Sequence, residues 1–212
     1  MMLRLLPLLA AFCSWPAFAG QISISGVTFS EASDNVRLLS AGGTGTLEDP
    51  LVIHEEITAS GDAIIRIRID SPDFGSRLGT THAIGFALRK EVTNLTAHAW
   101  DFFALELELE IGKGSDYYDG LSFAQSTTVA RPFRSDRFAK VEDVSEPRDM
   151  IRFDDGLVEV GDTVSFLVAI THTVPLPEFF LVQNIRSPFV ENDRPGRLLA
   201  RVQDTELVGP LQ

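Results

Sequence analysis

Cysteine is nearly absent from this chain, with one residue, Cys13, in 212. A lone thiol closes no disulfide framework and builds no cysteine-based zinc site, so the fold has to be held by packing. Basic residues are also scarce: 18 Lys and Arg stand against 30 Asp and Glu, for a formal net charge of −12. That balance argues against nucleic acid as a partner, because phosphate contacts need cationic side chains to displace counterions. No apolar run reaches the roughly 20 residues that a membrane-spanning helix requires. What the chain does have is a 44% hydrophobic content, which excludes a disordered polymer and suffices for one sizeable core.

The first residues carry the three parts of a secretory signal: Arg4 as the positive region, Leu5 to Phe12 as the apolar stretch, and Ala17-Phe18-Ala19 as a small-x-small cleavage site. Cleavage after Ala19 is the expectation. Phe12 precedes Cys13 where a lipoprotein signal has a small residue, so lipidation is not expected. Removing 19 of the 212 residues leaves 193, without the only cysteine, and losing Arg4 takes the net charge from −12 to −13. The expected product is secreted or periplasmic, has no membrane span after signal cleavage, and is stabilised without disulfides.

Beyond residue 19 the apolar pattern has a period of two. Phe103, Leu105, Leu107, Leu109 and Ile111 alternate with Ala104, Glu106, Glu108 and Glu110, placing apolar side chains on one strand face and three carboxylates on the other. The same alternation marks Ile65-Ile67-Ile69, Ile84-Phe86-Leu88 and Val164-Phe166-Val168-Ile170. Further strands are expected at Ile22 to Phe29, Leu51 to Ile57, Ile151 to Phe153, Leu157 to Val160 and Phe179 to Ile185. Turn formers separate them, among them Gly42-Gly43-Thr44-Gly45, Gly112 to Asp116 and Asp154-Asp155-Gly156. Many short half-apolar strands without helical windows predict an all-β fold: an antiparallel β-sandwich, immunoglobulin-like or jelly-roll-like. A single domain is expected over residues 20–185, after the signal peptide at 1–19, with residues 186–212 as a C-terminal tail or edge strand.

The run Val92-Thr93-Asn94-Leu95-Thr96-Ala97-His98-Ala99-Trp100-Asp101-Phe102-Phe103, then Leu105-Glu106-Leu107, Asp119-Gly120-Leu121-Ser122-Phe123, Gly161-Asp162-Thr163-Val164-Ser165-Phe166 and Phe179 to Gln183, forms a pattern. It resembles the sandwich domains of bacterial exported proteins of the PEP-CTERM type. The Pro-Glu-Pro sorting signal, apolar helix and basic end of that group do not occur here. The resemblance therefore implies an exported β-sandwich and no particular reaction.

Catalytic signatures are lacking as well. The mature chain has no cysteine nucleophile, and Gly75-Ser76-Arg77-Leu78-Gly79 places its serine beside the first glycine rather than at the centre of a hydrolase elbow. His54, His82, His98 and His172 are scattered, and on the strand at 51–57 His54 and Glu56 share one face while Glu55 points the other way. Trp100, Tyr117 and Tyr118 are the binding candidates; for Trp100 a buried anchor between sheets and a stacking platform for a sugar are both open. Asp116 and Asp119 in one loop, with Asp143, Glu146 and Asp149 in another, offer oxygen ligands for calcium if the two loops meet at one end of the sandwich. A solvated acidic surface is the competing reading. These features point to an exported, non-catalytic protein that works by binding or surface contact, with a glycan or cell-envelope component as partner. The alternative is a polysaccharide hydrolase using acidic residues.

Overall fold

The computed structural model describes residues 20–116, 118–124 and 131–186. In chain order the strands are β1 (Gln21–Ile24), β2 (Val27–Glu31), β3 (Val36–Gly42), β4 (Leu51–Ile57), β5 (Ala63–Ile69), β6 (Gly75–Ser76), β7 (Ile84–Asn94) and β8 (Phe102–Glu110). They continue as β9 (Lys113–Gly114), β10 (Leu121–Phe123), β11 (Arg134–Ser135), β12 (Phe138–Val144), β13 (Met150–Gly156), β14 (Thr163–His172) and β15 (Glu178–Arg186). One sheet runs β1-β2-β5-β15-β8-β13-β12, with β9 on β8; the other runs β10-β14-β7-β4-β3, with β11 on β14 and β6 on β7. The fold is thus an all-β sandwich, as the alternation predicted. The expected signal at 1–19 and the tail beyond Arg186 lie outside the described residues.

Alternation decides which face each strand buries. Ile65, Ile67 and Ile69 of β5 and Leu105 and Leu107 of β8 point into a single apolar cluster that they share with Phe86, Leu88, Val92, Val164, Val168 and Ile170 of the facing sheet. Phe166 of β14 is the cross-sheet contact, with ring centroids 4.3 Å from Phe103 of β8 and 4.7 Å from Phe153 of β13. Each such fully buried ring contributes about 1.5–3 kcal/mol over an exposed one.

Several elements depart from the sequence expectation. Ile22 to Phe29 is two strands, β1 and β2, joined at Ser25 (φ 50°) and Gly26 (φ 78°). Two consecutive left-handed residues make a type I′ turn, whose twist matches the hairpin, and glycine removes the steric cost at the second position. Leu157 to Val160 is not a strand; Val158 alone bridges Trp100, each amide donating to the other's carbonyl at 2.9 Å. Asp154-Asp155-Gly156 is the end of β13 rather than a turn, with Asp155 at φ 60°. The pairing is not wholly antiparallel either, because β4 and β6 both run parallel to β7.

The second face of β8 is also less exposed than predicted. Glu106 and Glu108 are only 4% and 2% exposed. Arg148 donates to Glu106 Oε1 at 2.7 Å, and the Gly112 amide donates to Glu108 Oε2 at 2.6 Å. The segment following β8 folds back as β9 and supplies that amide, so two of the three carboxylates are structural.

The Asn94 to Trp100 motif is a hydrogen-bonded corner. Asn94 Nδ2 donates to the carbonyls of His98 and Val158, while its Oδ1 accepts from the Thr96 amide and hydroxyl. The Trp100 indole donates to Thr96 Oγ1 at 3.1 Å. An Asn94→Ala substitution strips this buried network and is expected to lower stability by about 3 kcal/mol, read as a fall in urea midpoint with unchanged slope. A loss below about 0.5 kcal/mol would show that the corner is held by packing alone.

Candidate functional site

The described residues bring the acidic loop after β9 against the hairpin that joins β12 and β13. Its base is stitched into the sheet: the Ser115 amide donates to the Leu107 carbonyl, the Asp149 amide to the Ser115 carbonyl, and the Leu107 amide to the Asp149 carbonyl, all at 2.8–3.0 Å. The loop itself is organised by its aspartates. Asp119 accepts from the Asp116 amide at 3.0 Å and the Leu121 amide at 2.9 Å, and the buried Ser115 hydroxyl lies 2.8 Å from it. Asp116 Oδ1 accepts from the amides of Tyr118 and Asp119 at 2.8 and 3.2 Å.

Asp and Ser are the residues for such a loop because their short side chains reach amides two and three positions away. Gly120 completes it at φ 86°, where an added Cβ would stand 2.1 Å from Thr173 Oγ1. The glycine therefore meets both a conformational and a steric demand.

Four sequence candidates belong to this loop, and they fare differently. Tyr118 is 87% exposed at the tip of the loop. Tyr117 lies outside the described residues. Asp116 and Asp119, read as calcium ligands, spend most of their oxygens on loop amides, and among the described residues no three His, Cys, Asp or Glu side chains stand close enough to hold a metal as they are. Trp100 is elsewhere and only 1% exposed; with its ring in the core and its indole bonded to Thr96, it offers no face to a ligand.

Behind the loop sits a group that the sequence presents only as one acid among several. Asp149 is fully buried, and neither carboxylate oxygen has a hydrogen-bond partner. Burial pushes its pKa up to about 7, the Ser122 side chain and the Phe123 backbone pull it back towards the charged form, and the charges of Asp143 and Asp119 push upward again. Burial likewise raises Asp143, against the pull of Arg131. His172, buried at the end of β14, is lowered by burial, with Val174 and Asp119 opposing. The second acidic loop thus does meet the first, but through Asp149 and Asp143 rather than through Asp116.

The other buried polar cluster is in the core. Glu55 of β4 and Lys90 of β7 are both 0% exposed, and Lys90 Nζ donates to Glu55 Oε1 at 2.6 Å while Oε2 has no partner. Burial lowers the Lys90 pKa, opposed by the Glu55 charge and hydrogen bond. Gln183 of β15 is buried too, with no partner for either side-chain polar atom. A mostly apolar cavity of about 240 Å³ is lined by Ile69, Ser71, Pro72, Ile84, Pro175, Leu176 and Pro177.

The class that fold and loop define is a two-sheet all-β sandwich presenting an aspartate-braced, aromatic-tipped loop. No family model, curated protein or solved structure matches the chain.

Proposed function

We propose that this is an exported, non-catalytic sandwich protein that acts by binding, with the loop between β9 and β10 as its contact surface and a glycan or cell-envelope component as its partner. Tyr118 carries the reading. An aromatic ring displayed on a loop braced by its own aspartates loses little conformational freedom on contact, and such rings supply amphipathic contact area to sugar faces. The acidity of the chain fits a partner that is neutral or cationic at its contact points.

The test is binding of the chain from Gly20 onward to a panel of glycans and isolated envelope fractions. Tyr118→Ala is expected to weaken the interaction by about tenfold, the worth of one stacking contact of about 1.4 kcal/mol. Equal binding by the variant removes the loop from the reading, and hydrolysis of a panel polysaccharide in place of simple retention would replace it with the polysaccharide-hydrolase alternative.

A further inference from the structure

We propose that the Glu31 carboxylate receives the α-ammonium group of Gly20, freed when a leader peptidase cuts the bond between Ala19 and Gly20, and that this ion pair closes the β1–β2 hairpin. The inference rests on the exported reading and is independent of the Tyr118 contact. Its first support is the place of residue 20 in the hairpin. Gln21 pairs with Ser30, and one step further out the Glu31 amide donates to the Gly20 carbonyl at 3.0 Å. The Glu31 side chain then reaches back, and the Gly20 nitrogen donates to its Oε2 at 2.7 Å. The small-x-small motif Ala17-Phe18-Ala19 and the carboxylate thus select the same nitrogen, one by sequence and the other by geometry.

The second support is the state of that carboxylate. Glu31 is half-buried, and its Oε1 is fixed by the Leu38 amide of β3 at 2.7 Å, so Oε2 is held towards Gly20. Arginines of the adjoining strands are engaged elsewhere, Arg37 with Glu56 and Arg66 with Glu178. A partly buried carboxylate met only by amides gains from a charged donor, which makes the shorter and stronger bond. Residue 20 also has to be glycine for this approach. A Cβ there would meet Glu31 Oε1 and stand 2.8 Å from the carboxylate carbon, pushing the group off the Leu38 amide.

Cleavage supplies the charge. The oxygen of one water joins the Ala19 carbonyl carbon, which departs as a carboxylate, and both water protons end on the Gly20 nitrogen as the peptide bond breaks. A neutral amide with one donor becomes an ammonium with three. An α-amino group titrates near about 8, so it is cationic at pH 7, and a neighbouring carboxylate holds it in that form.

Two lengths of the chain released from a carrier, one beginning at Gly20 and one at Phe18, test the pair. The longer one carries its charge two residues, roughly 7 Å, further along the strand. At pH 7 the chain from Gly20 is expected to melt about 3 °C higher, and in Glu31→Gln the two lengths should melt together. The α-amine of the Gly20 chain should also react with an acylating reagent at least fivefold more slowly than that of its Glu31→Gln variant, read by mass spectrometry. The wild-type lengths need no variant, so they decide the matter even if Glu31→Gln fails to fold. The full chain, expressed in a bacterial host, should yield a product whose first residue is Gly20. Equal melts of the two lengths, equal acylation, or export with another first residue overturns the pair alone. A product that stays uncut in the cell overturns the exported reading and the pair with it.

Discussion

Replacing Lys90 with methionine is expected to destabilise the protein by about 3–5 kcal/mol, because it leaves the Glu55 carboxylate buried without its only side-chain partner among the described residues. For a chain of this size that corresponds to a fall in Tm on the order of 10 °C. Both side chains are fully inaccessible, and Lys90 Nζ lies 2.6 Å from Glu55 Oε1. The pair is diagonal across a parallel ladder, since Ile53 aligns with Lys90 and Glu55 aligns with Val92. Its net worth is small, because taking two ions out of water offsets most of their attraction. The double variant Lys90→Met with Glu55→Leu should therefore recover most or all of the loss. Single variants costing under about 1 kcal/mol would mean that water reaches the pair.

Asp149 predicts a second large effect, this time in the dependence of stability on pH. Its folded pKa of about 7 lies above the ordinary carboxyl value of 3.8, so between these two pH values the folded state holds a proton that the unfolded state has released. Stability from this group is thus fully present below about pH 4, is lost as the pH rises to about 7, and amounts to a few kcal/mol over that window. His82 and His172 act in the opposite direction: burial lowers both, so they favour unfolding as the pH falls below the histidine range. Comparison with Asp149→Asn isolates the carboxyl. The wild type minus variant difference in unfolding free energy should drift against the wild type from pH 4.5 to 7.5 by about 3–4 kcal/mol. A flat difference would show that Asp149 is charged in the fold at neutral pH.

The architecture was legible where one strand face was apolar. The alternations at 65–69, 84–88 and 164–170 lie in strands, and that at 103–111 does so as far as Glu110, with Ile111 exposed in the turn that follows, since a two-residue period is what a half-buried strand imposes. The edge strand β12 escaped because Lys140, Glu142 and Asp143 leave it no apolar period, a composition that discourages pairing with foreign strands. The hairpin at Ser25-Gly26 was legible in principle, since the apolar positions change phase there, from Ile22 and Ile24 to Val27 and Phe29, across a Ser-Gly pair.

The core ion pair was legible in principle. Glu55 stands in phase with Leu51, Ile53 and Ile57, Lys90 with Phe86, Leu88 and Val92, and Gln183 with Phe179, Leu181 and Ile185. A polar residue occupying an inward position of a strand signals a buried polar group through the alternation alone. Asp149 follows the same rule: it stands just before β13 in phase with the buried Ile151 and Phe153, and its backbone carries the pairing on to Leu107 and Ser115.

The position of β15 sets the order in which the molecule can be completed. It is the last of the described strands in sequence, yet it lies between β5 and β8 in the middle of its sheet, bonded to both. Until Glu178 to Arg186 has been synthesised, that sheet exists only as two unjoined halves, and Ile65, Leu105 and Leu107 lack the strand that aligns them. Closure by a strand more than 100 residues from β5 is a long-range event of the kind that slows folding. A chain arranged in this way keeps that sheet open until its β15 segment has emerged from the ribosome.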